Sequence, residues 1–180
     1  MKKLLLHSCC GPCSTTAITR LAQEYDVTVY YYNPNIYPEQ EFKKRQQTQK
    51  DFLQKYNSNI KLIEGEWENN LYEGCIKGLE ECKEGGERCS KCFYLRLYKT
   101  AERAKLEGFD LFATTLTVSP HKNAKLINSI GKQIEQEIGI EYLESDFKKQ
   151  DGYLQSIKMS KEYDLYRQNY CGCKYSIWWE

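Results

Sequence analysis

Seven of the nine cysteines in this chain fall into three tight groups: Cys9, Cys10 and Cys13; Cys89 and Cys92; Cys171 and Cys173. The first group puts three thiols within five residues, enough to converge on one soft metal centre. The second is a CxxC, whose sulfurs share one face if the segment is helical. Together the two groups offer four thiolates from distant segments, a donor set that suits zinc or an iron–sulfur cluster. The third group is a CGC. Cysteines separated by one residue bring their Cα atoms to about 5.5–7 Å, at the upper edge of what a disulfide accepts. Such a ring is strained and easily reduced, which suits a catalytic redox pair; two further metal ligands or an unreactive reduced pair are the alternatives. Cys75 and Cys82 stand apart and are read as bystanders.

Two other chemistries compete. Cys10-Gly11-Pro12-Cys13 spells the CGPC of thioredoxins, which would make the protein a thiol–disulfide oxidoreductase. Yet residue 10 leaves room for only one strand before the motif, and Cys9 replaces the tryptophan expected there. That chemistry also has no use for the second and third groups. The remaining alternative is a zinc-stabilised RNA-binding module.

The elements around these groups alternate. Strands are expected at Lys3–His7, Val27–Tyr32, Ile60–Ile63, Leu111–Thr117 and Ile140–Leu143. Helices are expected at Ser14–Tyr25, Glu39–Tyr56, Ser90–Glu107 and Asn123–Gly139, with 64–88 irregular and the tail mixing loop and helix. In the long helix Phe93, Leu97, Ala101 and Ala104 recur at helical spacing. This order predicts an α/β fold: a three-layer, largely parallel sheet in one domain over 1–180, with 145–180 as a C-terminal extension carrying the CGC pair. Such sheets bind ligands beyond the carboxyl ends of their strands, so the first cysteine group belongs in that crevice. A strand-to-helix turn also favours thiolates through its free N–H groups and helix dipole. No GxGxxG or GxxxxGK[ST] follows the first strand, so an ATP or NAD loop is absent there.

The net charge of +1 carries no global sign of a nucleic-acid partner. Lys43-Lys44-Arg45 and Lys148-Lys149 read as solvated faces when taken alone. Tyr30-Tyr31-Tyr32 reads first as a strand, although tyrosines also stack on bases. No apolar run reaches 18 residues, so no membrane partner is expected. The leucines after Lys2-Lys3 stop at His7, too soon for an export signal. A cytoplasmic location, where thiols stay reduced, is the expectation.

Six blocks carry a family resemblance: 6–14 (LHSCCGPCS), 32–36 (YNPNI), 88–93 (RCSKCF), 114–122 (TTLTVSPHK), 145–149 (SDFKK) and 166–173 (YRQNYCGC). In type and order they resemble the signature blocks of the QueH-type epoxyqueuosine reductases. The resemblance implies a fold like the nucleotide-binding HUP proteins without the ATP loop. It implies reduction of epoxyqueuosine at the tRNA wobble position, with tRNA as partner and a [4Fe–4S] cluster as cofactor. The electron donor is left unknown. By position, Cys9, Cys10, Cys89 and Cys92 would be cluster ligands, and Cys171 and Cys173 the redox-active pair. Some members carry Asp in place of Cys13, which makes Cys13 an additional ligand or the holder of an additional iron. His121, just past the fourth strand, is the expected proton donor, ahead of Tyr32, Asp146 and Tyr170. Tyr32, Asn33, Lys122 and Arg167 are the expected substrate-binding residues, with Lys148 and Lys149 as further phosphate contacts.

Overall fold

Leu4, Leu5 and Leu6 are fully buried because strand β1 (Lys3–Ser8) is the central strand of a five-stranded sheet. The structure, a computed structural model, describes residues 1–176; the last four residues of the expected extension lie outside the described residues. The strands run in the order β3-β2-β1-β4-β5, with β2 at Asp26–Tyr31, β3 at Lys61–Glu64, β4 at Leu111–Thr114 and β5 at Glu141–Tyr142. Every pairing is parallel: Leu5 registers with Thr28 on one side and Phe112 on the other. This is the three-layer, nucleotide-binding-like α/β arrangement expected from the alternation of elements.

Side-chain alternation divides the core. Leu4, Leu6, Val27, Val29, Leu111 and Ala113 point to one face. They meet helices α1 (Gly11–Leu21), α2 (Glu39–Tyr56) and α6 (Gly152–Glu162) through Ile18, Phe52 and Met159. Leu5, Tyr30, Tyr32 and Phe112 point the other way. There they meet α4 (Glu87–Leu106) and α5 (Ala124–Ile134), with Phe93, Leu97, Ala101 and Ala104 on the buried stripe as expected. The tyrosine run follows the same parity. Tyr30 and Tyr32 stack at 5.6 Å on the α4 side, while Tyr31 packs against Phe42 on the other.

Several boundaries differ from expectation for local reasons. Helix α1 starts at Gly11, not Ser14, because Cys10 is its N-cap and accepts from the Cys13 N–H, with Pro12 in the first turn. Helix α4 starts at Glu87, so Cys89 lies in its first turn. The stretch read as irregular contains a short helix, α3 (Asn69–Cys75). Strand β4 stops at Thr114, whose hydroxyl accepts the Leu116 N–H and turns the chain into a 3₁₀ segment, Leu116–Val118. The helix expected to run to Gly139 becomes a π turn over Glu135–Gly139.

The chain builds β1, β2 and β3 toward one edge, then returns to place β4 on the other side of β1. The switch point therefore lies between β1 and β4. A crevice opens beyond their carboxyl ends, where Cys9 follows β1 and His121 and Lys122 follow β4. Among the described residues, no helix is long and apolar enough to cross a membrane.

Candidate metal and redox site

Cys9, Cys10 and Cys13 form the floor of this crevice. Their three sulfurs lie within 4.8 Å of one another, the only such group of potential ligands among the described residues. The Cys9 and Cys10 sulfurs are 3.9 Å apart. Two thiolates on one tetrahedral ion with 2.3 Å bonds lie about 3.8 Å apart, so this spacing suits a shared metal. The Thr115 hydroxyl accepts the Cys9 N–H at 3.3 Å and lies 3.5 Å from its sulfur. From the tail, the Gln168 side-chain N–H donates to the Cys10 sulfur at 3.1 Å.

The triad holds its negative charge unevenly. Hydrogen bonds from the Cys10 and Cys13 thiols push Cys9 well below the ordinary thiol range. For Cys10, the bond with Cys13 pulls downward, but the bond to Cys9 and burial outweigh it and raise the thiol to about 11. Cys13 is pushed well up by its bonds to Cys10 and Cys9. Cys9 is thus the thiolate to which the other two donate.

The second and third groups meet each other. Cys89, Cys92, Cys171 and Cys173 line one cavity of about 80 Å³. Burial raises the Cys92 thiol to about 12, against the pull of Arg96, and burial also raises Cys89. A second cavity of about 410 Å³ is lined by Cys9, Cys13 and Cys171. Cys171, Arg96, His121, Lys122 and Glu84 line both. Cys171 thus joins the two cavities, with Cys9 and Cys13 beside it on the larger and Cys89, Cys92 and Cys173 beside it on the smaller.

The CGC segment is held by a side chain that the sequence reading placed on a solvated face. Arg45 is 2% exposed. It donates to the carbonyls of Cys171 at 2.8 Å and Tyr170 at 3.0 Å, and pairs with Glu41 at 2.9 Å. Three and four residues after Phe42 and Glu41, it lies on the inner side of α2, whereas Lys43 and Lys44 face solvent. The Tyr37 N–H donates to the Gly172 carbonyl at 2.8 Å. Gly172, at φ +139°, adopts a conformation that strains any L side chain, and a Cβ there would press on Ile36 at 3.0 Å and Arg45 at 3.2 Å.

The other expected site residues separate by depth. His121 is exposed at the rim of both cavities, and Arg167 is exposed on the larger one. Lys122 is half-buried between them. Tyr170 lines the larger cavity and donates to the Tyr37 carbonyl. Tyr32 and Asn33 line neither cavity; both are buried, because β2 carries them under the α4 layer. The Asn33 amide donates to the Ser8 carbonyl and accepts from Arg96. The Tyr32 carbonyl accepts from His7, whose other ring nitrogen faces the Thr114 hydroxyl. Burial, with the Arg96 charge next, lowers His7 to about 4, so its ring is neutral. Asp146 and Lys148 pair with each other, and Lys148 also donates to the Thr117 carbonyl; Lys149 is exposed. Cys75 and Cys82 line neither thiol-lined cavity.

Arg96, Arg45, Thr115 and Gln168 were missed as site residues. Arg96 had a legible signal: an arginine one turn beyond Cys92, beside the apolar stripe of α4. The donor set also fits a soft, negatively charged group. All nine cysteines are free, and two nitrogens of buried Arg96 lack partners.

Comparison with known proteins agrees with this chemistry. The family model described as "Epoxyqueuosine reductase QueH" matches residues 4–178. A Streptococcus pyogenes protein named Epoxyqueuosine reductase QueH is 45% identical over 177 residues, covering 96% of this chain and 69% of that protein. A Staphylococcus epidermidis protein of the same name is 43% identical, covering 97% and 76%. One from Thermotoga maritima is 35% identical, covering 98% and 91%. With thiols gathered at the switch point of a parallel sheet and a match over nearly its whole length, the chain belongs to the QueH family of epoxyqueuosine reductases.

Proposed function

We propose that this protein removes the epoxide oxygen of epoxyqueuosine at the wobble position of tRNA, giving queuosine in the last step of its biosynthesis. The observation that carries the reading is the gathering of thiols from three distant segments around two adjoining cavities that share Cys171, in a chain of this family. The reaction breaks both C–O bonds of the epoxide, forms a C=C bond, takes up two electrons and two protons, and releases water.

Cys9, Cys10, Cys89 and Cys92 would hold the [4Fe–4S] cluster, with Cys13 as an additional ligand or the holder of an additional iron. When bound, the cluster supplies one-electron transfer beside the substrate. Cys171 and Cys173 release two electrons and two protons when a dithiol closes to a disulfide, which matches the balance. An electron donor outside this chain restores the dithiol. Arg45 keeps this pair against the cavity by holding the carbonyls of Tyr170 and Cys171.

His121 at the rim is the side chain suited to deliver a proton. The cavity of about 410 Å³ can take a base swung out of the anticodon stack. Exposed Arg167 and Lys149 are the phosphate contacts, worth most at low salt. Tyr32 and Asn33 serve from below, through His7 and Arg96.

The test combines anaerobically loaded protein, tRNA bearing the epoxide and a low-potential reductant, followed by mass analysis of the released nucleosides. Conversion of epoxyqueuosine to queuosine, with about four irons and four sulfides per chain, is the expected result. Iron-loaded protein that leaves the epoxide oxygen in place would overturn the reading.

A further inference from the structure

Buried positive charge without a carboxylate partner is the feature that the thiols alone do not explain. Arg96 is 2% exposed, and its Nε and Nη2 have no hydrogen-bond partner. Its Nη1 makes one long bond, 3.4 Å, to the neutral amide oxygen of Asn33. Lys122, half-buried beside the same two cavities, makes no ion pair with a carboxylate among the described residues. The one carboxylate lining either cavity is that of Glu84, which is exposed. The other two cations on the larger cavity are accounted for: Arg45 pairs with Glu41, and Arg167 faces solvent.

A guanidinium taken out of water with no counter-charge is strongly disfavoured, so a buried arginine of this kind implies negative charge nearby. The groups around it that can carry such charge are thiols. Arg96 and Lys122 line both cavities, the larger with Cys9, Cys13 and Cys171 and the smaller with Cys89, Cys92, Cys171 and Cys173. Both cations thus lie beside sulfurs of both thiol sets.

We infer that Arg96 and Lys122 are the built-in counter-charge of the thiolate-held metal centre, placed between the two thiol sets so that the centre accepts an electron more readily. The inference rests on the functional reading above. Each added electron makes the centre more negative, and a fixed cation in a poorly screened site favours that reduced form. Arg96 is a positioning residue here: it acts on the centre's charge and need not touch the substrate.

The test is the midpoint potential of the anaerobically loaded full-length protein, followed by electron paramagnetic resonance, with iron, sulfide and tRNA affinity measured on the same samples. R96Q and K122Q should each move the potential to more negative values. The expected shift is about tenfold in the reduced-to-oxidised ratio at fixed potential, ~59 mV for a one-electron couple. R96K should recover most of the potential, and K99Q, on α4 but lining neither cavity, should leave it unchanged. Unshifted potentials in R96Q and K122Q with full iron and sulfide would overturn the inference. If R96Q fails to retain the cluster, K122Q decides alone, and an unshifted potential there overturns it. K122Q that weakens tRNA binding at an unmoved potential would make the lysine a phosphate contact and also overturn it. Wild-type protein holding no iron and sulfide would defeat the functional reading itself, an outcome distinct from the others.

Discussion

At the residue scale, the thiols differ by neighbour. Cys9 is the thiolate of a hydrogen-bonded triad, Cys92 is buried, and Cys171 is tied through its carbonyl to Arg45. Replacing both Cys171 and Cys173 with Ser should leave the visible absorption of the loaded protein intact while abolishing turnover; a fully active double variant would remove the redox pair from the proposal. Cys75→Ser, at an exposed position outside both thiol-lined cavities, should change neither. Arg45→Met breaks a largely buried ion pair and frees the carbonyls of Tyr170 and Cys171. It should cost about 3 kcal/mol in urea denaturation. Amide exchange at 170–173 should rise with it, and unchanged protection there would show that Arg45 does not hold the segment. Arg45 was hidden in a basic run because charge alone does not tell the inner from the outer side of a helix. Position relative to Phe42 does.

At the element scale, close packing at glycines holds the helices on the sheet. A Cβ at Gly131 would lie 2.3 Å from the Tyr142 ring, so α5 reaches β5 only because that position is bare. Gly131→Ala should destabilise by about 1–3 kcal/mol, read from thermal or urea unfolding. Gly74→Ala in α3 meets nothing within 4 Å. It should be neutral or stabilising by up to about 1 kcal/mol, since alanine favours a helix. Similar losses for both would mean that the Tyr142 contact is not what limits the position. The long amphipathic stripe of α4 was legible because its period is unambiguous. The capping role of Cys10 and the early end of β4 were not, because each depends on one side chain competing for a backbone N–H.

At the scale of the whole molecule, the site is a junction of β1–α1, the turn after β4, the start of α4 and the tail. A bound centre would tie these segments together. Loaded protein should therefore melt about 5–10 °C above metal-stripped protein, as expected for a group bound only by the folded chain. Equal melting temperatures at full iron and sulfide content would mean that the centre binds without linking them. The sequence by itself determined the α/β class, the position of the first cysteine group beyond β1, and the three thiol groups as the chemistry, since periodicity and residue type are local properties. Only the tertiary structure decided which groups meet. It placed Cys89 and Cys92 with Cys171 and Cys173, and put Cys171, Arg96 and Lys122 on both cavities. It also turned Tyr32 and Asn33 into supports beneath the crevice. The physical reason is that such meetings depend on strand order and on where the tail packs, and those follow from burial summed over the whole chain rather than from any segment of it.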